Sequence, residues 1–445
     1  MALNRFFGRK KDSAADPSAA PDSDVPAEES DDDSAYAEEG PPEDVVERRW
    51  RDRADAVLPT GASTGSKRVA ALYGDIDAEA DVPTHFASAA GCRIMDTDGE
   101  RFLDCTMALG SVALGYAEPT VVQAVIAAAS EGNVSALSNW REVAVAERLC
   151  SMIPCAERVQ FLKTGAEATA AAVRLARTYT GRAHVVGCGY FGWHDWSSDA
   201  TGVPQATRHL FSRVPFDDMT ALEQAVEIAG SDLAAVVLEP VVEREPSEMW
   251  LLRARELCDA KGAVLIFDEV KTGFRVAPGG WQEVSGVTPD LASFGKAISN
   301  GYPLAAVVGR ESLMAAARDT WISSTLASES TALAAALAVL DWHDKADICA
   351  TLAETGRDMR AGVDRAIMAS GIGGVTTWGI DQMWLMRWDD PAMESRFLLR
   401  ALDEGVLFKR SAYNFAAVAH DEEALQEIEA AASAAFVALM EENAE

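Results

Sequence analysis

The chain has 445 residues, is 49% hydrophobic and carries a formal net charge of −31. That length supports a large core and roughly two or three domains or lobes. So acidic a surface disfavours nucleic acid and anionic membranes as partners. The seven cysteines include no C-x-x-C pair and read as reduced thiols in a cytoplasm, not as a disulfide framework. The six histidines never approach H-E-x-x-H, so no metal site is expected. No apolar stretch is long enough for a transmembrane helix. No apolar segment follows the basic opening MALNRFFGRKK, so it does not read as a secretory signal.

Residues from about 12 to 45 are rich in Asp, Glu, Ser, Ala and Pro. They cannot bury enough apolar surface to offset the entropy of ordering, so disorder is expected there. GCRIMDTDGERFLDCT (91–106) reads as a hairpin turning at Asp98-Gly99. PTVVQAVIAAASEG and REVAVAERLCSMI have helical spacing, the first stopped by Gly132. RVQFLKTG is a strand running into a turn, and AEATAAAVRLARTYTG is a helix closed by Gly181. The apolar runs AHVVGC, LAAVVLEP and AVLIFDEV alternate with helical patterns such as LRARELCDAKG. Such alternation predicts an α/β fold with a mostly parallel sheet covered on both faces. From about Ala332 the chain is helix-rich and ends in a long amphipathic helix, DEEALQEIEAAASAAFVALMEE.

Two stretches carry chemistry. The first, VVGCGYFGWHDW (185–196), spells G-x-G-x-x-G, the dinucleotide fingerprint. A dinucleotide loop should open a helix and meet a strand-end acid about twenty residues on. WHDWSSDATGVP does not read as a helix, and Arg208 stands near the acid's place, so the match is read as coincidence. The second stretch pairs LIFDEVKTGFR (265–275) with SFGKAISNGYPLAAVVG (293–309). A buried carboxylate, Asp268, can keep a pyridine nitrogen protonated and make that ring an electron sink. A lysine, Lys296, can form a Schiff base with an aldehyde and later shuttle protons.

D-E-V-x-T-G-F-R at Asp268–Arg275 and S-F-G-K at Ser293–Lys296 resemble the class III aminotransferases of pyridoxal 5′-phosphate (PLP) fold type I. Within that family the chain is similar to the branch containing glutamate-1-semialdehyde aminomutase, over residues from about 83 to about 437. The resemblance implies an α/β fold with a mostly parallel seven-stranded sheet. It also implies a domain plan: a tail over 1–45, a small domain formed by 46–105 and 336–445, and a large PLP-binding domain over 106–335. It assigns Lys296 and Asp268 as catalytic. Thr164, Gly165 and Ala166 would cradle the phosphate, Ala166 replacing the family's usual threonine. Tyr190 and Val270 would take the two faces of the ring, and Phe191 stands where histidine is usual, which could alter ring contacts. Glu239 shapes the site or bonds nearby loop amides. Thr325 would reach the phosphate of a partner subunit, making the enzyme a homodimer.

Specificity is less uniform along the chain. Arg244 stands where relatives carry glutamate or asparagine, and no G-N-P lies near Thr325. ISSTLASESTALAA, G-V-L-F at Gly405–Phe408 and Ala419-His420 resemble a branch that aminates sugar aldehydes. The expected activity is amino transfer from an amino acid, glutamate, to an aldehyde or ketone that can be a sugar. The alternatives are an intramolecular aminomutase and a non-catalytic protein of the same fold.

Overall fold

The computed structural model describes residues 49–77 and 80–442. The acidic tail expected over 1–45 lies outside the described residues. Three sheets are present among the described residues. β1 (Phe86–Ala90), β2 (Arg93–Asp96) and β3 (Arg101–Asp104) form an antiparallel meander, with the β2–β3 turn at the predicted Asp98-Gly99. Gly99 has φ 90° there, which suits a residue without Cβ.

The central sheet has seven strands: β4 (Arg158–Leu162), β5 (His184–Cys188), β6 (Phe211–Arg213), β7 (Leu233–Leu238), β8 (Val264–Asp268), β9 (Leu291–Phe294) and β10 (Ala305–Gly309). Their order is β4-β10-β9-β8-β7-β5-β6. Only β10 runs antiparallel to its neighbours; every other pairing is parallel. Every residue of β7, β8, β9 and β10 is buried. That is why LAAVVL and VLIFD are unbroken apolar runs and not alternating ones. The helix Gly165–Thr180 buries Ala168, Ala172, Leu175 and Ala176, small residues that let it lie close over the sheet. The helix Ser330–Lys345 packs against Pro119–Ser130 and Trp140–Met152.

The C-terminal part adds β11 (Val375–Ile380), β12 (Met383–Trp388), β13 (Val406–Leu407) and β14 (Asn414–Phe415). β11, β12 and β14 form a three-stranded sheet. β13 leaves it and pairs in parallel with β3, so the end of the chain completes the first sheet. The last helix, Glu422–Glu442, packs on Ile348–Ser370 and Pro391–Asp403. No helix among the described residues is long and apolar enough to cross a membrane.

Arg275 ties these parts together. It is fully buried and pairs with no carboxylate among the described residues; it donates to the carbonyls of Gly110 (3.1 Å), Ala416 (2.7 Å) and Gln382 (3.4 Å). Its guanidinium also lies 5.0 Å from the Phe415 ring centroid. Burial pushes its proton affinity down, to about 10, and it stays charged at neutral pH. Hydrogen bonds from a charged donor are worth about 1.5–3 kcal/mol each. Arg275→Met is therefore expected to destabilise the protein by at least about 3 kcal/mol, read as a lower midpoint in urea with an unchanged slope.

Candidate active site

In an open α/β sheet, ligands gather beyond the carboxyl ends of the parallel strands. Five strands deliver the residues singled out from the sequence to that edge. β4 ends before Thr164, β5 before Tyr190, β7 before Glu239, β8 at Asp268 and β9 before Lys296.

Thr164 caps the helix Gly165–Thr180. Its hydroxyl accepts from Glu167 N (3.2 Å), and the Glu167 carboxylate accepts from Thr164 N (2.9 Å) and Lys163 N (3.1 Å). This reciprocal box leaves the first amides of the helix, at Gly165 and Ala166, without intrahelical acceptors. Those donors, with the helix dipole behind them, suit a phosphate. A Cβ at Gly165 would lie 2.8 Å from Val270 Cγ1, so glycine is needed for the close approach of the two segments. Gly192 (φ 89°) crosses on the other side, where a Cβ would collide with the Ala166 methyl. A larger side chain at 166 would meet the same backbone.

Asp268 is 4% exposed and accepts from Val270 N at 3.0 Å. Burial first, then the nearby Glu239 carboxylate, push its pKa up; the Val270 amide, Lys296 and Lys271 pull against them. Lys296 is shifted the other way: burial and the Lys271 ammonium lower its proton affinity, while Asp268 and Glu239 raise it. Lys296 also sits in the left-handed region at φ 48°, as does Asn300 at 45°. Such conformations cost about 1–2 kcal/mol per residue and persist where the surroundings enforce them, often at active sites. Asn300 is held by accepting from Ala113 N and Leu114 N (3.0 Å each) and donating to Gly115 O (2.9 Å).

The loop after β5 opens no helix, which removes the dinucleotide reading on structural grounds. Tyr190 is 74% exposed, and its amide donates to Glu239 Oε2 at 2.8 Å. Phe191 points the other way. It is buried with Trp196 (ring centroids 5.3 Å apart) and Phe211 (6.2 Å), and its carbonyl accepts from Thr169 Oγ1 at 2.9 Å. The expectation that it alters ring contacts is thereby corrected: Phe191 is a core residue anchoring the loop. Thr325 is not brought to this edge; it is exposed in the irregular segment ahead of Ser330–Lys345.

Lys271, Tyr413 and Arg387, at the mouth, escaped the sequence reading. Lys271, the x of D-E-V-x-T-G-F-R, pairs with Glu239 Oε1 at 3.0 Å and donates to Tyr413 Oη at 3.2 Å. Glu243 pairs with Arg387 on β12 at 2.6 Å. Arg244 turns away, to Asp217 (2.7 Å) and the face of Phe216. Lys271 was legible inside its motif. Tyr413 and Arg387 were not, because each lies more than a hundred positions from its partner.

The donor set fits a phosphorylated pyridine aldehyde: helix-start amides for the phosphate, an amine for the aldehyde and a buried carboxylate for the ring nitrogen. Comparisons with known proteins agree. The family model for aminotransferase class-III matches residues 76–421. A 2′-deamino-2′-hydroxyneamine transaminase from Streptomyces kanamyceticus is 36% identical over 68% of this chain and 78% of its own. A glutamate-1-semialdehyde 2,1-aminomutase from Polynucleobacter necessarius is 32% identical over 86% of this chain and 97% of its own. Among solved structures, the PLP internal aldimine form of the FumI protein of Sphingopyxis sp. MTA144 superposes with a TM-score of 0.84 at 28% identity, covering 89% of this chain and 97% of that one. A strand-edge site built for this cofactor, on a chain matched along most of its length, leads to one assignment: the protein belongs to the class III aminotransferases and is a PLP-dependent enzyme.

Proposed function

We propose that the enzyme transfers an amino group from an amino-acid donor, glutamate, to an aldehyde or ketone acceptor of the sugar class. The observation that carries this reading is the convergence of Lys296, Asp268 and the Gly165 helix start on one sheet edge, with Lys296 held in a left-handed conformation. The sugar class rests on the S. kanamyceticus relative, named a 2′-deamino-2′-hydroxyneamine transaminase, and on the motifs around Thr325.

PLP, when bound, supplies an aldehyde for amine exchange and a protonated ring that stabilises negative charge at the substrate carbon. Lys296 Nζ would be the amine that holds the aldehyde and the base that moves the proton at Cα of the amino donor. Its lowered proton affinity keeps it a competent base. Asp268 would hold the proton on the ring nitrogen, and the helix start capped by Thr164, with the free amides of Gly165 and Ala166, would take the phosphate. Tyr190 and Val270 would confine the ring, and Glu239 fixes the Tyr190 loop. Thr325 serves the phosphate of a second copy in a homodimer; the exposure of Trp321 (81%) and Leu326 (51%) in the same segment supports an interface there. Free thiols at all seven cysteines fit a reducing, cytoplasmic compartment.

L-glutamate added alone to the cofactor-loaded enzyme should change the cofactor's absorption and release one equivalent of 2-oxoglutarate. No change would turn the assignment to the second reading, an aminomutase, which the 97% coverage of the P. necessarius relative favours. Gly192→Ala should weaken cofactor binding about tenfold or more, because about 1–3 kcal/mol of backbone strain and a collision with Ala166 displace the loop. Fluorescence titration of the cofactor-free protein checks this.

A further inference from the structure

A buried lysine with a carboxylate partner is an expensive way to fill space. Taking two ions from water costs several kcal/mol each, and apolar residues of similar volume often serve stability equally well. Lys271 and Glu239 are 10% and 11% exposed, and they form such a pair where packing alone would not require it.

The pair is the centre of a chain of contacts. One Glu239 oxygen accepts from Lys271 and the other from the Tyr190 amide, at 3.0 and 2.8 Å. Lys271 donates in turn to Tyr413 Oη at 3.2 Å, and its ammonium lies 4.5 Å from the Tyr413 ring centroid. Tyr413 Oη accepts from Glu243 N at 2.7 Å, and the Glu243 carboxylate holds Arg387 at 2.6 Å. Three segments distant in sequence, after β5, after β7 and between β13 and β14, are therefore linked through the Lys271–Glu239 pair.

Resting on the active-site reading above, we propose that Lys271 is a positioning residue for amino transfer: its ammonium clamps the Tyr190 loop to the Tyr413 segment and supplies a fixed positive charge beside Lys296. Burial lowers the proton affinity of Lys271, but Glu239 and Tyr413 outweigh it and raise the balance above the ordinary lysine value. Besides burial, Lys271 and Arg275 lower the proton affinity of Lys296 while Asp268 and Glu239 raise it, so removing the Lys271 charge shifts that balance toward the acids.

The test uses the full-length protein with three substitutions: Lys271→Gln, which keeps hydrogen-bonding reach without charge; Lys271→Arg, which keeps charge; and Tyr413→Phe, which keeps the ring. Melting curves first establish that each folds. Two readouts follow on cofactor-free protein, so neither depends on turnover or on the identity of the substrates. The first is the pH midpoint for acetylation of Lys296 by acetic anhydride, followed by peptide mass spectrometry. It should rise by about one unit in Lys271→Gln and stay put in Tyr413→Phe and Lys271→Arg. The second is hydrogen exchange at the Tyr190 and Glu243 amides. It should quicken several-fold at both in Lys271→Gln, where the charge that fixes Glu239 and Tyr413 is gone, and about tenfold at Glu243 in Tyr413→Phe, for the loss of one hydrogen bond. A Lys271→Gln protein that matches the unsubstituted one in either readout overturns the proposal. If both readouts move as expected while glutamate fails in the half-reaction, the clamp stands and the donor assignment falls.

Discussion

Lys296→Ala is expected to lower kcat by at least about 10⁴-fold, because it removes the covalent anchor and the proton-transfer base together. Positioned proton transfer alone contributes about 10²–10⁴-fold. The substitution should leave the fold intact. Lys296 is only partly buried, and its left-handed φ of 48° strains alanine no more than lysine. Borohydride reduction gives a check independent of rate. In the unsubstituted enzyme the peptide containing Lys296 should retain the cofactor's mass; in the variant no peptide should. Turnover that survives the substitution would mean that another amine does the work.

Asp268→Asn should separate activity from stability. An amide cannot hold the ring nitrogen's proton by charge, and loss of one preorganised electrostatic contact costs about 10²–10³-fold in kcat. Stability of the cofactor-free protein should move the opposite way. The Asp268 pKa is raised on folding, by burial and then by Glu239. The folded state therefore binds the proton more tightly than the unfolded chain does. Below the ordinary aspartate value both states are protonated and the group is neutral in the balance. As pH rises from about 4, the native protein loses stability progressively. Asp268→Asn removes that loss. Its melting temperature should equal that of the unsubstituted protein near pH 4 and exceed it increasingly toward neutrality. A variant that melts lower at pH 7 would place the carboxylate's main value in holding the fold.

The sheet and the reactive pair were legible because their signals are local. Buried parallel strands appear as unbroken apolar runs, and strand-end residues sit next to the strands that carry them. Asp268 and Lys296 carry such signals, whereas Tyr190 and the Thr164 turn stand out only by the family resemblance. What was not legible is long-range. Nothing near Tyr413 announces that its hydroxyl meets Lys271, and nothing near Gln382 or Ala416 that its carbonyl holds Arg275. Arg244 stands where relatives carry glutamate or asparagine, yet the positive φ of Glu243 (58°) goes with a sharp local turn that sends Arg244 to Asp217 and leaves Glu243 facing Arg387. A one-residue change in backbone course reassigns neighbouring side chains, and no motif records it. Phe191 is a similar case, unusual by family pattern yet ordinary as an aromatic core residue.

The parallel pairing of β13 with β3 has a consequence for the newborn chain. β3 closes at Asp104 and β13 opens at Val406, so about three hundred residues must emerge from the ribosome before that edge is covered. Until then β3 presents unpaired backbone groups, a template for the wrong strand. Contacts of such separation form late and slowly. Release of a chain truncated before Gly405 would make that exposure permanent, with an uncapped sheet and no means of burying Leu103, the residue that faces Val406 across the ladder. Quality control of this enzyme in the cell should therefore act chiefly on its shortened forms, whose catalytic sheet is fully encoded but whose first sheet has no closing strand.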